Sequence, residues 1–227
     1  MRLAVFGGSF NPPHIGHLAL ADAVHTELGF DRVLFIPTHI SPLKGVKGTE
    51  ALLDASLRFE MLSLAAEDSG FLMVSDCEIR RGGISYTADT LRFVLHEYAG
   101  KIAGKPALIM GADWIPSFHL WRNAEEIAGN ADLILARRPG FAGFPPDAGP
   151  DTGRGPDADK TDADPRAPVR LRLPGLEREV PVFFVDNPEL QVSSSDIRRR
   201  IASGKSWRYL VPEPVHRYIR KRGLYVQ

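Results

Sequence analysis

The chain has 227 residues, 44% hydrophobic and 25% charged, which suits one well-cored globular domain. Its 28 basic and 28 acidic side chains balance, so no global field draws it to nucleic acid or a membrane surface, and any affinity for anions has to be local. A single cysteine, Cys77, excludes an intramolecular disulfide and points to a cytoplasmic setting; with no activating neighbours in the sequence it reads as a packed small residue.

In chain order, the first apolar run is RLAVF (2–6), too short for a signal peptide or a spanning helix, and it reads as a strand. Leu20, Val24 and Leu28 are spaced by four and predict one face of a helix. RVLFIP (32–37) predicts a second strand, and Leu57, Met61 and Leu64 a second amphipathic helix. FLMVS (71–75) is a third strand, and YTADTLRFVLHEYAG (86–100) a helix stopping at Gly100. ALIMG (107–111), DLILA (132–136) and VFFVD (182–186) complete the strands. Nearly continuous apolar strands alternating with helices predict an α/β fold: a doubly wound, mostly parallel sheet with helices on both faces.

Residues 139–181 hold nine of the chain's 18 prolines, and PPDAGPDTGRGPDADKTDADPRAP contains no aromatic or large aliphatic side chain. Such a stretch buries too little apolar surface to offset its ordering entropy, so 143–168 reads as a mobile surface insertion within a single domain spanning 1–227. VRLRLPGLEREVPVFF predicts a hairpin leading back into the sheet, and 193–227 the C-terminal helical part. At the end, Val215, Tyr218 and Ile219 are expected to pack inward, with the basic residues of RYIRKRG in water.

GGSFNPPHIGH (7–17) follows the first strand, where ligands of open α/β sheets bind. Gly7 and Gly8 allow close backbone approach, Ser9 offers a hydroxyl, and successive N–H groups can line an anion-binding concavity. His14 and His17, three apart, share one face of a helical first turn, with Gly16 leaving room between them at the positive end of the helix dipole. The pattern predicts a polyphosphate cradle. SGKS (203–206) is no Walker A loop, because Arg199 stands where its first glycine belongs, and no dinucleotide fingerprint, metal-binding pair or serine elbow is present.

This stretch resembles the signature of the nucleotidylyltransferase superfamily, whose H-x-G-H motif binds a nucleoside triphosphate. VSSSDIRRRI (192–201) resembles a second family element, in which Ser193, Ser194 and Ser195 cap a helix and Arg198 reaches the triphosphate. On that helix Arg198, Arg199 and Arg200 point about 100° apart, so only one or two can face a ligand. SYTADTL, GADWIPSFHLW, ARRPG and YLVPEPVHRYIRKRGLY are similar to nicotinate-nucleotide adenylyltransferases over most of the chain.

The resemblance implies a Rossmann-like sheet and adenylyl transfer from ATP to nicotinate mononucleotide, giving deamido-NAD and pyrophosphate. Mg²⁺ would accompany ATP, with no protein-built metal site. It implies ATP contacts at Gly7, Gly8, Ser9, Phe10, Gly16, Gly111, Asp113, Ser193, Ser194 and Ser195, with His14, His17 and Arg198 as the catalytic set. Lys44, Thr87, Trp121 and Arg138 would hold the mononucleotide, Trp121 by stacking on the pyridine and Thr87 near its carboxylate. SPLKG replaces a common Pro-Pro-His-Lys type loop, and Arg122 stands where an aromatic is often found. Nicotinamide mononucleotide or another phosphate acceptor is the alternative within this chemistry, and a non-catalytic nucleotide or RNA binder the alternative of another class. Neither stable nucleic-acid binding nor membrane attachment is expected, and a homo-oligomer is left open.

Overall fold

The structure is a computed structural model that describes residues 1–42, 52–136 and 166–226. Strand β1 (Leu3–Gly8) continues the first apolar run into the glycines, and is followed by α1 (Ile15–Thr26) and β2 (Arg32–Pro37). Next come α2 (Ala55–Ala66), β3 (Leu72–Val74), α3 (Cys77–Arg81), α4 (Thr87–Glu97) and β4 (Ala107–Gly111). A 3-10 segment, Ala112–Leu120, contains Pro116, whose missing N–H suits a short, tight helix better than a long α-ladder. The remainder is α5 (Ala124–Asn130), β5 (Asp132–Ala136), β6 (Val169–Arg172), β7 (Glu179–Val185), α6 (Ser194–Ala202) and α7 (Glu213–Arg222).

The seven strands form one sheet in the order β3-β2-β1-β4-β5-β7-β6. Every pairing is parallel except β6–β7, the predicted hairpin, which closes one edge antiparallel. β1 lies between β2 and β4, so the strand order reverses at β1, and the chain leaves Gly8 at that switch point. The register aligns Gly8 with Pro37 and Gly111 with Ala136, which brings the carboxyl ends of β1, β2, β4 and β5 to one edge.

Period-two alternation distributes the strands' side chains to opposite faces. Ala4, Val33, Phe35, Ile109, Ile134 and Phe183 pack with Ala21 and Val24 of α1. Leu108, Met110, Leu133 and Leu135 pack with α4 and α5 on the opposite face, where Leu3, Val5, Leu34 and Ile36 meet Cys77 and Val94. A further cluster ties Met61 of α2 to Ile197 of α6 and to Val215 and Ile219 of α7; Tyr218 packs against it, as expected. The helix expected over 86–100 ends at Glu97, and the chain turns through Gly100 at φ +72°. Among the described residues no helix is long and apolar enough to cross a membrane.

α3 and α4 are joined by a buried polar contact, in which the Thr90 hydroxyl donates to Glu78 Oε1 at 2.5 Å. Burial pushes the Glu78 carboxyl up from its ordinary value. Its contribution to stability is therefore complete below its unfolded pKa and declines as pH rises towards the folded one. Glu78→Gln should therefore gain stability relative to the wild type on going from pH 4 to pH 7, as measured by urea titration. An unchanged difference between the two proteins would show that the carboxyl titrates alike in both states.

Candidate active site

The loop leaving β1 is held by three donors from two distant helices, α2 and α6. Arg58, 0% exposed on α2, donates to the carbonyls of Ser9 (2.8 Å), Leu53 (2.9 Å) and His39 (3.3 Å). Arg198 Nη1 donates to the Asn11 carbonyl at 2.6 Å, and Ser194 Oγ to that of Pro12 at 2.8 Å. Burial lowers the pKa of both guanidinium groups. An arginine starts so far above neutrality that both remain cations. With these carbonyls already accepting, the loop offers an incoming anion donors rather than repelling oxygens.

Beneath the loop, Phe10 adopts φ +44° and turns its ring into the core, edge-on to Phe6 (5.5 Å), Phe35 (5.3 Å) and His17 (4.9 Å). A Cβ at Gly8 would lie 3.0 Å from Phe10 Cζ, so this glycine makes room for the Phe10 ring. Gly7 faces open space.

His14 is the N-cap of α1, and His17 lies in its first turn. Their rings stack with centroids 3.6 Å apart and planes 24° from parallel. The His14 backbone N–H donates to His17 Nδ1 at 3.1 Å. An accepting Nδ1 carries no hydrogen, so His17 presents its N–H at Nε2. Gly16 lines the cleft, and a Cβ there would also meet Val192 Cγ1 at 3.0 Å and His14 Cε1 at 3.2 Å. Its role is to let α1 approach the chain entering α6.

α6 begins as expected, with Ser193 Oγ accepting from the Asp196 N–H at 3.1 Å. Ser195 Oγ accepts from Arg198 Nη2 at 3.1 Å, which turns that guanidinium along the helix towards the β1 loop. Arg199 and Arg200 pair instead with Asp196, at 2.7 and 2.6 Å, so of the three arginines one faces the site. Between the N-termini of α1 and α6 lies a cleft of about 360 Å³, within the usual range for small-molecule sites. Two helix N-termini and three basic side chains give it the character of an anion site.

Of the residues singled out in the sequence, Ser9, His14, Gly16, His17, Gly111, Ser193, Ser194, Ser195 and Arg198 line this cleft. Gly7, Gly8, Phe10, Asp113, Thr87 and Trp121 do not. The exclusion of Phe10 is physical: it is 2% exposed and holds the loop from below. Asp113 is exposed on the 3-10 segment. Trp121 is half-buried against Trp114 and Phe118, and its neighbour Arg122 lies over the ring of Tyr86, 4.4 Å away, so the Trp121 and Thr87 segments do meet. Lys44 and Arg138 lie outside the described residues, as does 143–165 of the expected insertion.

Sequence reasoning missed one wall entirely: Asn187, Pro188, Glu189, Leu190 and Val192, between β7 and α6. A polar, proline-containing link from the last strand to a capped helix had to cross the carboxyl edge, and that was the available signal. It also missed Asn11, which lines the cleft, and Arg58, which occupies an apolar position three residues before Met61.

A cytidylyltransferase-like family model matches residues 5–200, and the chain belongs to that family of nucleotidyltransferases. Over 225 residues it is 40% identical to a protein of Treponema pallidum named "probable nicotinate-nucleotide adenylyltransferase", with 99% of each chain covered. A protein of Desulfitobacterium hafniense with the same name is 36% identical over 229 residues, covering 99% of this chain and 95% of its own. The nicotinic acid mononucleotide adenylyltransferase of Plasmodium falciparum, solved in complex with NaAD, shares the fold at a TM-score of 0.68 and 16% identity, covering 99% of this chain and 97% of its own.

Replacing Arg58 by Met removes the donor to three part-buried carbonyls while keeping an unbranched apolar stem in the core. Unsatisfied buried acceptors are costly, so Arg58→Met should lose about 3 kcal/mol in denaturant titration. A loss under about 0.5 kcal/mol would show that water replaces the guanidinium.

Proposed function

We infer that this chain transfers the adenylyl group of ATP to nicotinate mononucleotide, releasing pyrophosphate and forming deamido-NAD, a step of NAD biosynthesis. The observation that carries this reading is the stacked His14–His17 pair, with the His17 tautomer set by a backbone N–H and with Arg198 facing the same cleft. The relatives' shared name and full-length similarity support the choice of acceptor.

The acceptor's phosphate is already ionised, so its oxygen attacks the α-phosphorus without a general base. The new P–O bond forms as the bond to the β-phosphate bridging oxygen breaks, and pyrophosphate carries away the electron pair. The protein's task is therefore in-line positioning and neutralisation of charge. The His17 Nε2–H is assigned to the α-phosphate, where charge builds in the transition state, and His14 and Arg198 to the β- and γ-phosphates. These imidazole and guanidinium groups suit anionic oxygens rather than a cation, which fits Mg²⁺ arriving with ATP as substrate, coordinated by phosphate oxygens and water. Thr87 and Trp121 are assigned to the pyridine end, beside the Arg122–Tyr86 contact. ATP as substrate and the buried free thiol of Cys77 are in keeping with a cytoplasmic setting.

The reading is tested by pyrophosphate release from Mg-ATP with nicotinate mononucleotide and with its amide. A higher kcat/KM for the acid is expected; comparable rates would make the enzyme dual-specific, and no release with either would overturn the acceptor. His17→Ala should lower kcat about 10²–10³-fold, as loss of one transition-state donor does. A loss below about threefold would remove His17 from the reacting phosphate.

A further inference from the structure

The C-terminal segment reaches back to the cleft through one side chain. α7 ends at Gly223, whose φ of +59° lets the chain reverse; the Leu224 N–H then donates to the Ile219 carbonyl at 3.1 Å. Two residues on, Tyr225 adopts φ +64°. An aromatic residue holds that left-handed geometry only where contacts over-determine it. Tyr225 packs against the cluster of Met61, Ile197 and Val215, and its Oη donates to Asn11 Oδ1 at 2.7 Å, across 214 residues. Asn11 is 3% exposed, lines the cleft, and gives its backbone carbonyl to Arg198.

We propose that Tyr225 is a positioning residue for the triphosphate site: by occupying Asn11 Oδ1 it fixes the carboxamide so that the Nδ2 hydrogens serve as a further phosphate donor in the cleft. An asparagine amide can face either way at little cost, and only one of its faces suits an anion. A carboxamide with its oxygen inward would oppose the phosphates. Burial pushes the Tyr225 phenol well above its ordinary pKa, so it remains a donor throughout the physiological range. Among the described residues no acceptor takes the Nδ2 hydrogens.

This inference rests on the assignment of the cleft to ATP, and the test separates the two. Calorimetric Kd values for Mg-ATP would be measured, without acceptor, for the wild type, Tyr225→Phe, Asn11→Ala and the double variant, with Tm recorded for each. Tyr225→Phe keeps the ring and should raise Kd about three- to tenfold, the effect of one neutral hydrogen bond. Added to Asn11→Ala it should change Kd by less than twofold, because its effect passes through the missing amide. Asn11→Asp keeps the acceptor for Tyr225 but replaces the donor by a negative charge, and should weaken ATP by more than tenfold. Wild-type binding with additive variants, with an inert Tyr225→Phe, or with a tolerated Asn11→Asp would overturn the positioning role alone. A wild type that does not bind Mg-ATP would overturn the assignment of the cleft, and the inference with it.

Discussion

The constraint on which the site depends is that the carbonyl groups of the loop after β1 need donors from elsewhere. A loop leaving a parallel strand at the switch point has no ladder partner for its polar atoms, and buried carbonyls left bare are costly. Arg58 supplies Ser9, Arg198 supplies Asn11 and Ser194 supplies Pro12. The last two donors come from the first turns of α6, so the hydrogen bonds that satisfy the loop also set the distance between the N-termini of α1 and α6. The cleft is the space those bonds leave.

Arg58 carries this arrangement furthest. Its three hydrogen bonds go to neutral carbonyls, which engage three of its five N–H groups without cancelling its charge. A desolvated cation close to the loop contributes a positive potential that solvent screens poorly. Together with Arg198 and the two helix termini, it gives a chain of zero formal net charge a local field suited to a polyanion.

Much of the fold was legible in the sequence because its information is local. Each apolar run became a strand within a few residues of its predicted bounds, and the β6–β7 hairpin followed from its turn residues. The Ser193 cap was legible for the same reason, since a capping side chain and its N–H lie three residues apart. What escaped were contacts between distant positions. Arg58 carries no local mark of its role, which depends on three carbonyls brought to it by the fold. Gly16 reads as an opening for a ligand, and that it also makes room for Val192, from the other end of the chain, shows only in the fold. The Asn11–Tyr225 contact escaped because nothing in the local pattern of either residue refers to the other.

That span has a consequence for how the protein comes into being. Arg198 reaches Asn11 across 187 residues, and Tyr225 reaches the same residue across 214. Contacts of such separation carry a large loop-closure entropy and form only when the chain between them is already organised. A growing chain has its histidine motif long before Arg198 and Tyr225 have been added. The contacts that close the cleft thus form late in folding, and a ligand that binds only the closed cleft favours it over any partly folded state.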